Sequence, residues 1–136
     1  MNFQRAIIDG HVRKVVPNSV IARNLMKSSE ESISTAFLIN QTESSLKSIY
    51  RELYEGLRQY CEAIGFLKGF EFHKTEIISD FLSEVLNEKF VSSRFHLYTQ
   101  IRSKLDYGFT INMSMIEMAL EEIPLLTQYL KKHIHP

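Results

Sequence analysis

The sequence is poor in residues that interrupt helices or cross-link chains. Its 136 residues include five glycines, three prolines, one cysteine and no tryptophan. The single cysteine, Cys61, excludes an intramolecular disulfide and fits a reducing compartment. Long apolar runs are also missing, because runs such as Ala36–Ile39 are too short to span a bilayer. The opening MNFQRAIIDGHVRK holds no apolar segment of signal-peptide length. We therefore expect a cytoplasmic protein without a membrane span.

An excess of one charge is absent as well. The chain has 16 Lys and Arg against 16 Asp and Glu, so no overall field draws nucleic acid to it. The charges are unevenly placed, however. Residues 1–27 carry five basic side chains against one acidic, and residues 71–90 carry five acidic against two basic. We predict that residues 1–16 pack against the acidic helix of the same chain or of a second copy. The alternative is two solvated faces, since surface ion pairs contribute little.

What the chain does have is helical periodicity. With 44% hydrophobic and 24% charged residues, it has the composition of one soluble domain, here residues 1–136 with an N-terminal arm over 1–17. Apolar side chains repeat at steps of three and four. The pattern predicts five helices, over residues 19–40, 46–67 and 74–90, from a Ser92-Ser93 cap to about 105, and from an Asn112 cap onward.

The second of these helices has the clearest apolar face, and Gly69 is expected to close it in a left-handed conformation. The third is expected to bury Ile77, Ile78, Phe81, Leu82, Val85 and Leu86. Pro124 should kink or divide the last helix, because proline removes a backbone donor. Only His11–Val16 looks strand-like. Short connections between such helices favour an all-α fold, an antiparallel bundle of four to five helices with a short N-terminal arm.

Common site motifs are missing. The five histidines, the last two being His133 and His135, form no Cys-x-x-Cys or His-Glu-x-x-His spacing, so we expect no metal site. The chain has no Gly-x-Gly-x-x-Gly and no Walker loop, so any nucleotide would bind without a known phosphate cradle. We expect no cofactor. Cys61 falls on an apolar helix face and is expected to be an inert core residue.

Charged residues at helical spacing form the candidate site. Arg58 and Glu62 are four residues apart on the second predicted helix, and Arg102 and Asp106 are four apart on the fourth. If these helices are neighbours, the four groups line one groove. The alternative is a set of ordinary surface ion pairs on separate helices.

The run YRELYEGLRQYCEAIGFLKGFEFHKTEIISDFL, followed later by IRSKLDYG, resembles the HEPN family (higher eukaryotes and prokaryotes nucleotide-binding domains), especially its stand-alone archaeal-type members. Tyr54, Glu55 and Arg58 match the family's pattern on its second helix, with Gln59 where Glu is commoner. His73 stands where a histidine opens the third helix. The resemblance extends from about Gly10 to Ile134.

The resemblance implies a bundle of four to five helices that usually pairs into a homodimer. In the family's ribonucleases, an arginine and a histidine from two copies meet at the interface and cleave RNA without metal. Arg102 matches that arginine, but Ser103 replaces the usual Asn and Tyr107 occupies the histidine position. Tyrosine as a residue type has a pKa near 10 and is a poor base at neutral pH. We therefore expect the nuclease mechanism to be lost or strongly weakened.

Three functions remain open. The first is a non-catalytic module whose cleft, lined by Arg58, Glu62, Arg102, Asp106 and Tyr107, holds a nucleotide or the loop of a partner. The resemblance implies partners such as a small nucleotidyltransferase, in a toxin–antitoxin or defence context. The second is a metal-independent endoribonuclease that uses Arg102 with Tyr107 or with His73. The third is a structural homodimer whose polar groove holds only satisfied ion pairs.

Overall fold

The computed structural model describes residues 2–134 and shows a mostly helical domain. Met1, His135 and Pro136 lie outside the described residues. The six α-helices are α1 (Asn2–Ile8), α2 (Ser19–Leu38), α3 (Leu46–Lys68), α4 (Ile77–Asp80), α5 (Lys89–Asp106) and α6 (Met113–Leu130). A π-helical turn, Phe81–Val85, follows α4, and a 3₁₀ turn, Lys131–His133, follows α6. Two short strands are β1 (Val12–Lys14) and β2 (Phe70–Phe72).

The expectation of an all-α fold with four to five helices is therefore corrected in two ways. The described chain has six helices, and a two-stranded antiparallel hairpin joins the arm to the segment after α3. Val12 pairs with Phe72 and Lys14 with Phe70, within the stretch that looked strand-like. Gly69 ends α3 at φ 85°, as predicted. Its carbonyl accepts the Val15 N–H at 2.9 Å, which brings the strands together.

The arm is an ordered part of the domain. Phe3 in α1 is buried against Phe70 and Phe81, with ring centroids 5.1 and 5.6 Å away. Arg13 Nη2 lies 2.8 Å from Glu71 Oε1 across the hairpin. The contact of Phe3 with Phe81 and the bond from the Phe3 N–H to Glu84 thus confirm, within one chain, the prediction that residues 1–16 pack against the third predicted helix. The helix α1 was not predicted, because only two of its seven residues are buried.

Helices α2 and α3 form a closely packed pair. Asn18 Oδ1 caps α2 by accepting the Val20 and Ile21 N–H groups at 3.1 and 3.0 Å. The buried Ser29 donates its hydroxyl to Gly56 O at 2.6 Å. A Cβ at Gly56 would meet Ile33 Cγ1 at 2.5 Å, so the missing side chain permits this approach. α3 forms the centre of the core, with α5 and α6 packed against it, and its buried face includes Leu46, Ile49, Tyr50, Leu53, Leu57, Tyr60, Cys61 and Ile64.

The predicted third helix over residues 74–90 is wrong in its extent. α4 lasts one turn and passes into the π-helical turn, where the Leu86 N–H donates to Phe81 O at 3.1 Å. Asn87 then takes a positive φ of 57°, which ends the helical path. The wider turn also moves Val85 away from the core, so its predicted burial is wrong. Glu88, not Ser92-Ser93, precedes the first turn of α5.

The last helix begins as predicted, since Asn112 Oδ1 accepts the Met115 N–H at 2.9 Å. Of the two predicted effects of Pro124, a kink stays a prediction and division of the helix is wrong, because α6 continues through the proline to Leu130. Ile123 and Leu126, on either side of it, are fully buried. Thr127 donates its hydroxyl to Pro124 O at 2.8 Å. Packing of the apolar face thus outweighs the missing backbone donor.

Candidate functional site

Two tyrosines of α3 fix its position against α5. Tyr50 is fully buried and donates its hydroxyl to Tyr98 O at 2.6 Å. Tyr54 OH lies 2.9 Å from Thr99 Oγ1. The Tyr54 ring stacks on Phe95 with centroids 5.9 Å apart. Burial of Tyr54 raises its pKa to about 12, so its hydroxyl keeps its proton at neutral pH. These contacts make α3 and α5 neighbours, which is the condition that the predicted groove required.

A polar cleft opens beside the Tyr54–Thr99 contact. Its volume is about 290 Å³, at the lower limit of small-molecule sites. It therefore suits one phosphate or carboxylate group better than a whole nucleotide. Three elements line it: Tyr54, Glu55 and Arg58 from α3; Thr75 and Glu76 from the turn before α4; Thr99, Arg102, Ser103 and Asp106 from α5.

Arg58 is held by two carboxylates of its own helix. Its Nε and Nη2 donate to the two oxygens of Glu55, and its Nη1 donates to Glu62 Oε2 at 2.5 Å. Burial opposes the charge of the guanidinium, but Glu62 and Glu55 outweigh it and raise the Arg58 pKa. Burial raises the Glu62 pKa as well, against the influence of Arg58. All three nitrogens of Arg58 are thus engaged, so this residue positions Glu55 and Glu62.

Arg102 is less committed. Within residues 2–134 its side chain makes one hydrogen bond, from Nη1 to Asp106 Oδ1. The Asp106 side chain is 55% exposed and that of Arg102 is 32% exposed. A guanidinium carries five N–H groups, so Arg102 retains donors on Nε and Nη2 for a ligand. This is the cation of the cleft that is best placed to bind an anion.

The cleft is not simply basic. Its two guanidiniums, on Arg58 and Arg102, face the three carboxylates of Glu55, Glu76 and Asp106. An incoming anion must therefore compete with Asp106 for Arg102, and binding should weaken as salt rises. A ligand that carries a cationic group beside its anionic group would complement both the guanidiniums and the carboxylates of the cleft.

The other predicted site residues lie apart from this lining. Glu62 contacts Arg58 from the next turn of α3. Tyr107 follows the last residue of α5 and is 82% exposed. His73 sits by the hairpin, with Nδ1 3.3 Å from Gly10 O and Nε2 3.3 Å from Glu71 Oε1. The structure therefore brings Arg58, Arg102 and Asp106 together in the cleft. Glu62, Tyr107 and His73 lie outside its lining.

Six lining residues were not predicted as site residues. Tyr54, Glu55 and Ser103 were named only for the HEPN resemblance, and Thr75, Glu76 and Thr99 were missed altogether. Thr99 could have been found, because it precedes Arg102 by three residues and so shares its helical face. Thr75 and Glu76 reach the cleft from a turn, for which helical spacing gives no signal.

Within residues 2–134 no group of three or more His, Cys, Asp and Glu side chains is arranged to hold a metal ion. Of the last two histidines, His135 lies outside the described residues. Across the same range, no helix combines the length and the apolarity needed to cross a bilayer.

Comparisons of the chain with protein-family models, with curated proteins and with solved structures find no match. The site must therefore be interpreted from its own chemistry.

Proposed function

We propose that this chain is a non-catalytic, HEPN-like binding module that forms a dimer and holds an anionic group in the cleft between α3 and α5. The anion belongs to a nucleotide or to a partner protein. The single observation that supports this proposal is Arg102. It lines the cleft and makes one hydrogen bond within the described residues. Its Nε and Nη2 groups have no hydrogen-bond partner among those residues.

The chemistry of the lining favours binding over catalysis. No histidine is among the described residues that line the cleft, and its hydroxyl groups belong to Tyr54, Thr75, Thr99 and Ser103. Metal-independent RNA cleavage needs a group that exchanges a proton near neutral pH, and the raised pKa of Tyr54 makes it unsuited to that task. The lone thiol, Cys61, is fully buried, and burial raises its pKa further.

The size of the cleft narrows the proposed ligand. At about 290 Å³ it receives a terminal phosphate while the sugar and base stay outside, or it receives one acidic side chain of a partner. The resemblance to the HEPN family supports a small nucleotidyltransferase as that partner, in a toxin–antitoxin or defence context. In either case Arg102 binds the ligand through its Nε and Nη2 donors while its Nη1 stays bonded to Asp106, and Arg58 keeps its own bonds to Glu55.

Calorimetric titration with ATP at low salt tests whether the cleft binds a nucleotide. A hydrogen bond to a charged group contributes about 1.5–3 kcal/mol, so Arg102→Ala should weaken binding by about tenfold or more. The matched control is Arg23→Ala, which removes an exposed arginine of α2 outside the cleft. It should bind ATP like the wild type.

A second measurement covers the protein partner and the alternative activity. Proteins that co-purify with the wild type but not with Arg102→Ala would support a partner's acidic side chain. If ATP does not bind and both preparations carry the same proteins, the proposal for the cleft is wrong.

Incubation with mixed RNA, with and without a chelator, should leave the RNA intact. RNA cleavage that Arg102→Ala abolishes would replace the proposal with the endoribonuclease.

A further inference from the structure

Helix α6 carries a second apolar stripe that the core covers only in its first half, where Met115 and Met118 are partly buried against it. The first stripe is fully buried and consists of Ile116, Ala119, Ile123, Leu126 and Leu130. The second lies one residue earlier at each step and consists of Met115, Met118, Leu125 and Tyr129, with Glu122 in the middle. Leu125 and Tyr129 remain 50% and 51% exposed. Steps of three and four residues are those of a helix that packs along another helix.

The second stripe borders α5, whose side chains contact it at two places. Phe90 of α5 is 57% exposed, and its ring lies 6.3 Å from the Tyr129 ring at one end. In the middle, Arg94 Nε and Tyr98 OH donate to Glu122 Oε1 at 2.5 and 2.8 Å. Oε1 of Glu122 is therefore already paired with Arg94, so covering this surface leaves the charge of Glu122 with a partner. We call this surface, formed by Phe90, Met118, Glu122, Leu125 and Tyr129, the α5–α6 face.

Charge around this face changes sign along α6. Glu117 and Glu121 are exposed in the first half of the helix, whereas Lys131 and Lys132 are exposed just after its end. Lys132 also contacts Glu88 at 2.9 Å and keeps 67% of its side chain exposed. A two-fold axis perpendicular to α6 reverses the helix in the second copy. The acidic half of one copy would then lie beside the basic end of the other.

We propose that the α5–α6 face docks a second copy of this chain, about a two-fold axis beside Leu125. The inference rests on the dimer of the proposed function and adds the surface that forms it. In this arrangement Leu125 of each copy meets its equivalent, and Met118 approaches Tyr129 of the partner subunit. Glu117 lies opposite Lys132 of the partner subunit. Apolar contact contributes the affinity, and the charge pattern selects the antiparallel orientation.

Disulfide trapping tests the position of the axis. Residues beside a two-fold axis approach their own equivalents, so Leu125→Cys should form a disulfide-linked dimer under mild oxidation. The native Cys61 is fully buried and should not interfere. The control is Leu38→Cys on α2, a leucine that is 84% exposed and lies outside the face. It should cross-link far more slowly, at the rate of chance collision.

Sedimentation equilibrium of Leu125→Asp gives a second, independent result. Two carboxylates at the axis should weaken the dimer by at least tenfold, while Leu38→Asp leaves it unchanged. A dimer that Leu125→Asp does not weaken, and whose Leu125→Cys variant cross-links no faster than Leu38→Cys, would show that another face pairs. A monomeric wild type at high concentration would overturn the surface and the dimer together. Neither outcome affects ATP binding through Arg102, which tests the cleft alone.

Discussion

Tyr54 OH lies 2.9 Å from Thr99 Oγ1 and joins α3 to α5 at the edge of the polar cleft. Tyr54 is 4% exposed, so its hydroxyl has little access to water. The contact fixes the spacing of the two helices that carry Arg58 and Arg102. The geometry of the cleft therefore depends on a hydrogen bond between two uncharged side chains as well as on its ion pairs.

Replacing this tyrosine tests that dependence. Tyr54→Phe removes the hydroxyl and leaves Thr99 without its partner, so the free energy of unfolding should fall by about 0.5–1.5 kcal/mol. Urea unfolding measures the change. Tyr129→Phe is the control, because Tyr129 is half exposed and makes no side-chain hydrogen bond within residues 2–134. Equal stability of the two variants would mean that the Tyr54 hydroxyl contributes nothing to the α3–α5 contact.

Gly56 should be intolerant of a side chain. Alanine is favoured over glycine in a helix by about 0.5–1 kcal/mol, but its Cβ would lie 2.5 Å from Ile33 Cγ1 and 3.0 Å from Ser29 O. Overpacking of this kind costs about 1–3 kcal/mol, so the clash should win and Gly56→Ala should be destabilising. Removing the obstructing side chain gives the matched test.

In a background of Ile33→Ala, the cost of Gly56→Ala should become smaller, because only the Ser29 carbonyl still crowds the new methyl group. A double-mutant cycle measured by urea unfolding gives the coupling directly. Equal costs in the two backgrounds would show that the Ile33 side chain does not obstruct the new methyl group, and any remaining cost would then come from the Ser29 carbonyl.

The parts of the fold that could be predicted are those in which one helix buries one face. The α3 stripe was found because its apolar residues repeat over six turns with little interruption. The π-helical turn could not be found, since it depends on a bond from the Leu86 N–H to Phe81 O that local composition does not encode. Helix α1 was also missed, because Phe3 and Ala6 form a buried face only once the arm has folded back.

The candidate site shows the same division. Arg58 and Arg102 were chosen because each has a carboxylate four residues away and because of the HEPN resemblance, and both line one cleft. Tyr107 was chosen by its position in the motif, and the chain ends α5 before it, leaving it in solvent. Its role in binding, like that of Glu62 and His73, stays a prediction. Residue spacing identifies neighbours within one helix, but it does not show at which residue the helix ends.

Pro124 should be a source of instability in α6. Proline in a helix interior is about 3 kcal/mol less favourable than alanine, yet α6 continues through it. Pro124→Ala restores a backbone donor, so the free energy of unfolding should rise by about 1–3 kcal/mol, and thermal unfolding measures it. The Thr127 hydroxyl still has the residue 124 carbonyl as its acceptor. A loss of stability would show that contacts of the proline ring outweigh its backbone cost.

Glu88 connects the start of α5 to the end of the described chain and should make stability depend on pH. Its carboxylate lies 2.7 Å from His133 Nε2 and 2.9 Å from Lys132 Nζ. Burial opposes ionisation, but hydrogen bonds from His133 and Lys132 outweigh it and lower the Glu88 pKa below its ordinary value of 4.5. Because the folded state holds the ionised form more strongly, this stabilisation is complete above pH 4.5 and is lost as the pH falls through the folded pKa. The difference in unfolding free energy between wild type and Glu88→Gln should therefore shrink as the pH falls below 4.5. The exposed Glu43→Gln should follow the wild type throughout, and a Glu88→Gln difference that did not change with pH would contradict the ionic origin of the contact.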